Sequence, residues 1–282
     1  MDCSIIEKLK SNELEFCKNW SNKTIDLNDS FCVLSNRDLK GDYFLNRVIL
    51  TNVIGVSNRD ERKITSVVSK LKEISKQQVI DAYVHIDDNF SSFKSILEKN
   101  GLREIDKLAG LVNVVEDQKS FSLNEFEIQK PLSKEETYEL LSFTDKLDDW
   151  LNVYSSAFGI DMAKRATIRA ILQKENFRDS KFILYKQKSD YNRNRQNLKP
   201  IGCCLLFPTN EALGVYCLGT DPRYRNRGIA SSIIDYAITY AKMNGFDFIG
   251  LQALHSDRIQ GFYQRRHFKK VYTNTIYSLP CR

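Results

Sequence analysis

The stretch Leu218-Gly219-Thr220-Asp221-Pro222-Arg223-Tyr224-Arg225-Asn226-Arg227-Gly228-Ile229-Ala230 decides how the rest of the chain is read. An apolar run ends at Thr220, three arginines follow within a short loop, and a glycine stands where an apolar helical pattern begins. The first amides of a helix lack intrahelical acceptors, and the helix dipole places partial positive charge beside them. Glycine lets that backbone come close to an anion because it has no Cβ, so a diphosphate suits the loop. After it, Ile229, Ile233, Ala237 and Ala241, joined by Ile234 and Ile238, form one apolar stripe, which predicts a helix from Gly228 to Asn244 closed by Gly245.

Working outward, Pro200 to Phe207 and Leu213 to Thr220 read as a hairpin turning at Pro208-Thr209-Asn210. A strand at Lys181 to Lys186 precedes it, and Gln187 to Lys199 is polar enough to be a surface loop. Beyond the helix come a strand at Phe248 to Leu254, a helix at Asp257 to Arg266 and a strand at Lys270 to Ser278. Helices are expected over Lys134 to Phe158 and Asp161 to Glu175, after a strand at Phe126 to Gln129.

The first part of the chain has the same alternation. A helix is expected at Ile5 to Trp20, strands at Phe31 to Ser35 and Tyr43 to Leu50, and a helix at Glu61 to Lys76, whose Ile64, Val67, Val68, Leu71 and Ile74 share one face. Then follow a strand at Val79 to Ile86, a helix at Phe90 to Asn100 stopped by Gly101, and a strand at Leu108 to Val115. Composition turns polar past Asp117, which sets a domain boundary near residue 122 and gives domains 1–122 and 123–282. The element order implies an α/β class of mixed α+β layers, with helices covering sheets.

Arg225-Asn226-Arg227-Gly228-Ile229-Ala230 resembles the Q/R-x-x-G-x-G/A signature of the GNAT N-acetyltransferases. Gly250-Leu251-Gln252-Ala253 and Tyr263-Gln264-Arg265-Arg266-His267-Phe268 resemble that family's following strand and its Tyr-x-x-x-Gly-Phe ending. The resemblance implies tandem GNAT-like domains, each a mostly antiparallel twisted sheet flanked by helices. It also implies acetyl-CoA as co-substrate, no metal, and a primary amine acceptor: a small molecule, a lysine or a protein N-terminus. Leu218, Gly219 and Thr220 would meet the acetyl and pantetheine part, while Arg225, Asn226, Arg227, Gly228, Ile229 and Ala230 would hold the pyrophosphate. Ser231 would add a hydroxyl, Ser256 stands near where many members have an asparagine contacting pantetheine, and Tyr263 matches the tyrosine that protonates the departing thiolate. His267 replaces the usual glycine before Phe268.

Direct transfer to an amine needs a base, often acting through water. Tyr216 and Cys217 stand on the approaching strand instead of a carboxylate, Glu211 sits in the hairpin turn and Asp221 lies past the strand, so no base is assigned. Backbone N–H groups near Leu218 are expected to polarise the thioester carbonyl. The competing reading is a weak or inactive CoA-binding regulatory module, favoured by that missing base and opposed by Tyr263. In the first half, Leu97-Glu98-Lys99-Asn100-Gly101-Leu102 resembles the same ending with leucine for tyrosine, whereas Ser57 to Lys63 has no glycine and two acids. A degenerate GNAT-like domain without cofactor is the expectation there.

The 42 basic and 36 acidic residues leave a net charge of +6 spread along the chain, which does not mark a nucleic-acid surface. Seven cysteines contain no CxxC pair, which argues against a disulfide scaffold or a zinc site and for a reducing, cytoplasmic setting. No apolar run approaches the roughly 20 residues that span a bilayer, so no membrane partner is expected. The acceptor and the oligomeric state are not legible in the sequence.

Overall fold

Two periodicities build the molecule. Apolar residues three and four apart form helix faces, and short β-branched or aromatic runs form strands between them. The computed structural model describes residues 3–28, 31–42, 44–50, 61–78, 82–90, 93–115, 136–141, 146–188, 198–210 and 212–279. They form two compact units. The first joins Met1–Leu111 with Gln252–Arg282, and the second is Val112–Leu251. The last thirty or so residues, expected with the second domain, pack with the first, while the boundary expected near residue 122 lies outside the described residues.

In the first unit, α1 (Cys3–Trp20), β1 (Lys23–Asn28), β2 (Phe31–Ser35), β3 (Arg47–Leu50), α2 (Glu61–Gln78), β4 (Ala82–Asp87), α3 (Phe93–Lys99) and β5 (Arg103–Val114), which runs into the second unit at Val112, follow in order. The chain returns late with α7 (Gln260–Gln264) and β11 (Lys269–Leu279). The strands lie in the order β1-β2-β3-β4-β11-β5. Pairing is antiparallel for β1–β2, β2–β3 and β4–β11, and parallel for β3–β4. The expected stripe on α2 is seen in the burial of Ile64, Val67, Val68 and Leu71, which pack with Val84, Ile86, Phe93 and Tyr277. β1 was not anticipated, because Lys23-Thr24-Ile25-Asp26-Leu27-Asn28 carries too few apolar residues to announce an edge strand.

The buried face of α1 includes the polar pair Asn12 and Glu13 beside Leu9, Phe16, Cys17 and Trp20. The Glu13 carboxylate accepts from Arg47 Nη2 at 2.7 Å and from the Tyr272 hydroxyl at 2.6 Å. Arg47 is only 1% exposed. The same Nη2 also donates to Cys17 Sγ at 3.1 Å, and Nη1 reaches His85 Nδ1 at 2.9 Å, which makes that imidazole nitrogen the acceptor. Gln252 Nε2 donates to the Tyr272 oxygen at 3.2 Å. This network ties α1, β3, β4 and β11 together, and burial pushes the Cys17 thiol up to about 12, so it stays protonated.

The helix ending predicted to recur does so in detail. Phe268 N–H donates to Tyr263 O and His267 N–H to Gln264 O, with His267 at φ 63°. Leu102 N–H donates to Leu97 O and Gly101 N–H to Glu98 O, with Gly101 at φ 89°. Both are 6→1 and 5→2 closures with an apolar contact across the turn.

The second unit contains β6 (Glu136–Leu141), α4 (Leu147–Phe158), α5 (Met162–Leu172), β7 (Lys181–Lys188), β8 (Leu198–Thr209), β9 (Ala212–Thr220), α6 (Ile229–Met243) and β10 (Phe248–Leu254), the last of which crosses into the first unit at Gln252. Strand order is β10-β9-β8-β7-β6, parallel at β10–β9 and antiparallel elsewhere. The helix expected over Lys134 to Phe158 is corrected: Glu136–Leu141 is strand β6, paired with β7, and the helix described there is Leu147–Phe158. The strand expected at Phe126 to Gln129 lies outside the described residues. Trp150 centres the core, fully buried, with Nε1 donating to Cys204 O at 2.9 Å. Among the described residues no helix is long and apolar enough to cross a membrane.

Two stability outcomes follow. Arg47→Ala leaves the Glu13 carboxylate buried without its cation and should lower unfolding free energy by about 3–5 kcal/mol, read from urea melts. An unchanged midpoint would show the network to be energetically idle. His267→Gly relieves a left-handed residue that bears a Cβ, at a cost of about 1–2 kcal/mol, offset by roughly 0.5–1 kcal/mol of glycine entropy, so a small rise in Tm is expected.

Candidate functional site

The site in the second unit starts from a register fault. β8 and β9 pair Cys203 with Gly219 and Leu205 with Tyr216, so one residue of β8 faces two of β9, Cys217 and Leu218. Cys217 takes φ 54°, in the left-handed region that side chains rarely adopt. A bulge of this kind bends its strand and turns main-chain groups out of the ladder. On its other edge β9 pairs with β10 only from Ala212–Phe248 to Gly214–Gly250, so the β9 backbone from Val215 to Thr220 is not laddered to β10. Leu218 and Thr220 are half-buried there and Gly219 is buried. A Cβ on Gly219 would stand 2.8 Å from Ala157 Cβ and 2.9 Å from the Phe158 ring, so glycine is what lets the end of α4 lie against this strand.

The loop after β9 is held from inside. Asp221, 4% exposed, accepts from Arg223 N–H at 3.0 Å and pairs with the Arg223 guanidinium at 2.7 Å. That hydrogen bond holds its carboxyl below the usual carboxylate range, so it is an ionised anchor and not a proton acceptor. Arg225 Nη2 donates to Ala157 O at 2.8 Å, joining the loop to the carboxyl end of α4. Arg227 lies over the Tyr224 ring at 5.2 Å, Lys199 Nζ lies over the same ring at 5.3 Å, and Lys199 also donates to the Tyr224 hydroxyl at 3.4 Å.

Asn226 at φ 63° and Gly228 at φ 81° turn the backbone twice through the left-handed region just before α6. Successive amides in such turns make an anion-binding concavity. Gly228 caps α6 with no side-chain hydrogen bond, and the first helical bond is Ser232 N–H to Gly228 O at 3.0 Å. The amides ahead of Ser232 therefore begin the helix without intrahelical acceptors. Arg225, Asn226, Arg227 and Gly228 are exposed, Ala230 and Ser231 half-buried, and Ile229 buried as the pin that fixes the helix start. The loop and first turn, from Pro222 to Ser231, contain no acid. A diphosphate fits this donor set.

Leu218 through Ser231 are thus brought together as one feature of the second unit. Tyr263 and Ser256 belong to the first. Tyr263 is 6% exposed and packs edge-on to Phe262 and Phe268, with ring centroids at 5.0 and 5.8 Å. Ser256 Oγ donates to Asp106 Oδ2 and its N–H to Asp106 Oδ1, so its hydroxyl already has an acceptor. Burial raises the thiols of Cys203 and Cys204 well above the ordinary range, which leaves them inert as nucleophiles. Sequence reasoning missed the Cys217 bulge and the Arg225–Ala157 tie. Cys217 is not a glycine and sits inside an apolar run, so no local signal marked it, and Ala157 lies 68 positions away.

The sequence model of the Acetyltransferase (GNAT) family matches residues 147–268. Among solved structures, a GCN5-related N-acetyltransferase from Kribbella flavida is 13% identical with a TM-score of 0.69, covering 97% of this chain and 95% of that one. A GCN5-related N-acetyltransferase from Sphaerobacter thermophilus is 14% identical with a TM-score of 0.64, covering 95% and 85%. A tandem GNAT protein from the clavulanic acid biosynthesis pathway is 8% identical with a TM-score of 0.56, covering 83% and 74%. No curated protein sequence matches. Residues 147–268 are therefore a domain of the GNAT acetyltransferase family, carried in a chain whose first half is GNAT-like in fold as well.

Proposed function

We propose that the protein moves an acetyl group from acetyl-CoA to a primary amine by direct attack, in a reducing, cytoplasmic setting. The observation that carries this reading is the uncapped start of α6 behind two left-handed turns, in an acid-free segment with Arg225 and Arg227 beside it. Bound acetyl-CoA supplies the activated acyl group. The amides of Asn226 to Ala230 bind its diphosphate, and the Ser231 hydroxyl adds a donor. Leu218, Gly219 and Thr220 offer the unpaired edge of β9 to the pantetheine and acetyl part, and an N–H near Leu218 polarises the carbonyl. By the family resemblance, Tyr263 is the proton donor to the departing sulfur and Ser256 a pantetheine contact. In this reading the segment 123–282 carries the chemistry and 1–122 is a companion that binds no cofactor. Asp221 is not the base, since its carboxylate is committed to Arg223.

The test is free-thiol release from acetyl-CoA against a panel of amines and peptides, with longer acyl-CoAs alongside. No release above the no-acceptor control with any amine, with acetyl-CoA still bound, would leave a CoA-binding module instead. In Gly228→Val a branched Cβ occupies the diphosphate side of a left-handed position, so acetyl-CoA affinity should fall by at least roughly tenfold while circular dichroism is unchanged. Parental affinity in that folded variant would place the cradle elsewhere.

Tyr263→Phe keeps the ring contacts with Phe262 and Phe268 and removes only the hydroxyl. Turnover should fall by about 10²- to 10⁴-fold with acetyl-CoA affinity nearly unchanged. A tyrosine that only packs gives the reverse pattern. Near-parental turnover in the phenylalanine variant, with Tyr263→Ala lowering Tm, would remove Tyr263 from the catalytic residues.

A further inference from the structure

Two of the large apolar side chains that the second unit leaves in water stand at one corner of the candidate site. Phe158 ends α4 and is 49% exposed, and Met162 begins α5 and is 77% exposed. Among the described residues of that unit, the other exposed side chains of this kind are Val114 and Met243. Single exposed apolar residues need no explanation, so the corner matters for what it touches. The Phe158 ring lies 2.9 Å from where a Cβ on Gly219 would stand. Leu218, Gly219 and Thr220 are the segment that the acyl-transfer reading gives to the acetyl end of the cofactor, so the corner is the wall beside that segment.

This wall is aromatic and anchored. Trp150, fully buried, stacks on Tyr154 with ring centroids 5.2 Å apart, and Tyr154 meets Phe158 at 4.9 Å, which makes the exposed ring the outer end of a ladder rooted in the core. A ring already held in place loses little freedom when a second ring packs on it.

Charge around the corner disfavours an ammonium group. From Ser155 to Ala163 the only charged residue is Asp161, whose Oδ1 accepts from Lys164 N–H at 2.8 Å as the cap of α5. Arg225 brings a guanidinium to Ala157 O at 2.8 Å, while Asp221 is committed to Arg223. An ammonium set against an apolar surface and a like charge gives up its proton more readily, and direct attack needs the neutral amine. A nitrogen bonded to an aromatic ring meets that need unaided, because the ring draws in its lone pair and leaves it uncharged at neutral pH.

We infer that the acceptor is a primary arylamine, its ring laid on Phe158 and Met162 and its nitrogen directed at the acetyl carbon beside Leu218; the inference rests on the acyl-transfer reading. The nitrogen lone pair forms the N–C bond, and the C–S pair departs with sulfur. The proton that the nitrogen sheds to water balances the one that the CoA thiolate takes up.

The experiment measures thiol release from acetyl-CoA by the full chain with 4-methylaniline, cyclohexylamine and lysine as acceptors in parallel. The arylamine should exceed the other two in kcat/KM by at least roughly tenfold. Phe158→Ser should raise the arylamine KM by roughly tenfold, the effect of one lost ring contact. Met162→Gln, at an exposed position, should raise it by roughly fourfold with the acetyl-CoA KM parental. Three results overturn the inference and leave acyl transfer standing: lysine or cyclohexylamine is used as well as the arylamine, the arylamine KM is parental in every variant that folds, or sedimentation shows a dimer that Phe158→Ser dissociates, which would make the corner a contact between two copies. Absence of release with every amine overturns both readings together.

Discussion

The packing of one helix stripe constrains everything around the candidate site. Ile229, Ile233, Ile234, Ala237 and Ala241 are withdrawn from water almost completely, which fixes α6 on the strands beneath it. Burial of each isoleucine stabilises by about 1.5–3 kcal/mol, so the helix cannot rotate or slide without losing several such contributions. Its first amides are consequently held in place before any ligand arrives. The loop in front of them is equally fixed, by Asp221 on Arg223 and by Arg225 on the end of α4. An anion that binds here meets donors already in position, and little ordering entropy is lost on binding.

Much of this was legible in the sequence. Gly228 followed by an apolar stripe named the helix and its cap. The hairpin at Pro208 and the ending at Tyr263 to Phe268 were readable for the same reason: turn chemistry and periodicity are local. The misreading over Lys134 to Phe158 has a physical cause as well. Glu136-Thr137-Tyr138-Glu139-Leu140-Leu141 has no clean alternation, and what makes it a strand is its partner β7, whose paired residues run from Gln187 opposite Glu136 to Phe182 opposite Leu141. The bulge at Cys217 was invisible because its conformation is set by register against β8, not by the residue itself.

The repeated helix ending tells the two halves apart. In the first, Gly101 takes the left-handed position without strain and Leu97 fills the place of the aromatic residue. In the second, His267 adopts that conformation against its preference and Tyr263 brings a hydroxyl. Strain tolerated at one copy and absent from the other fits a turn held by its surroundings, with Phe268 packed on the Tyr263 ring as the contact that compensates it.

Strand β11 lies between β4 and β5, so the first unit is assembled from the two ends of the chain. During synthesis the ribosome releases β4 and β5 long before their neighbour exists, and both expose an unsatisfied strand edge until residue 279 has emerged. The second unit, continuous from Val112 to Leu251, is complete by then. Order of birth and order of folding are thus inverted: the part made first closes last, and a chain stopped short by thirty residues would damage its own beginning.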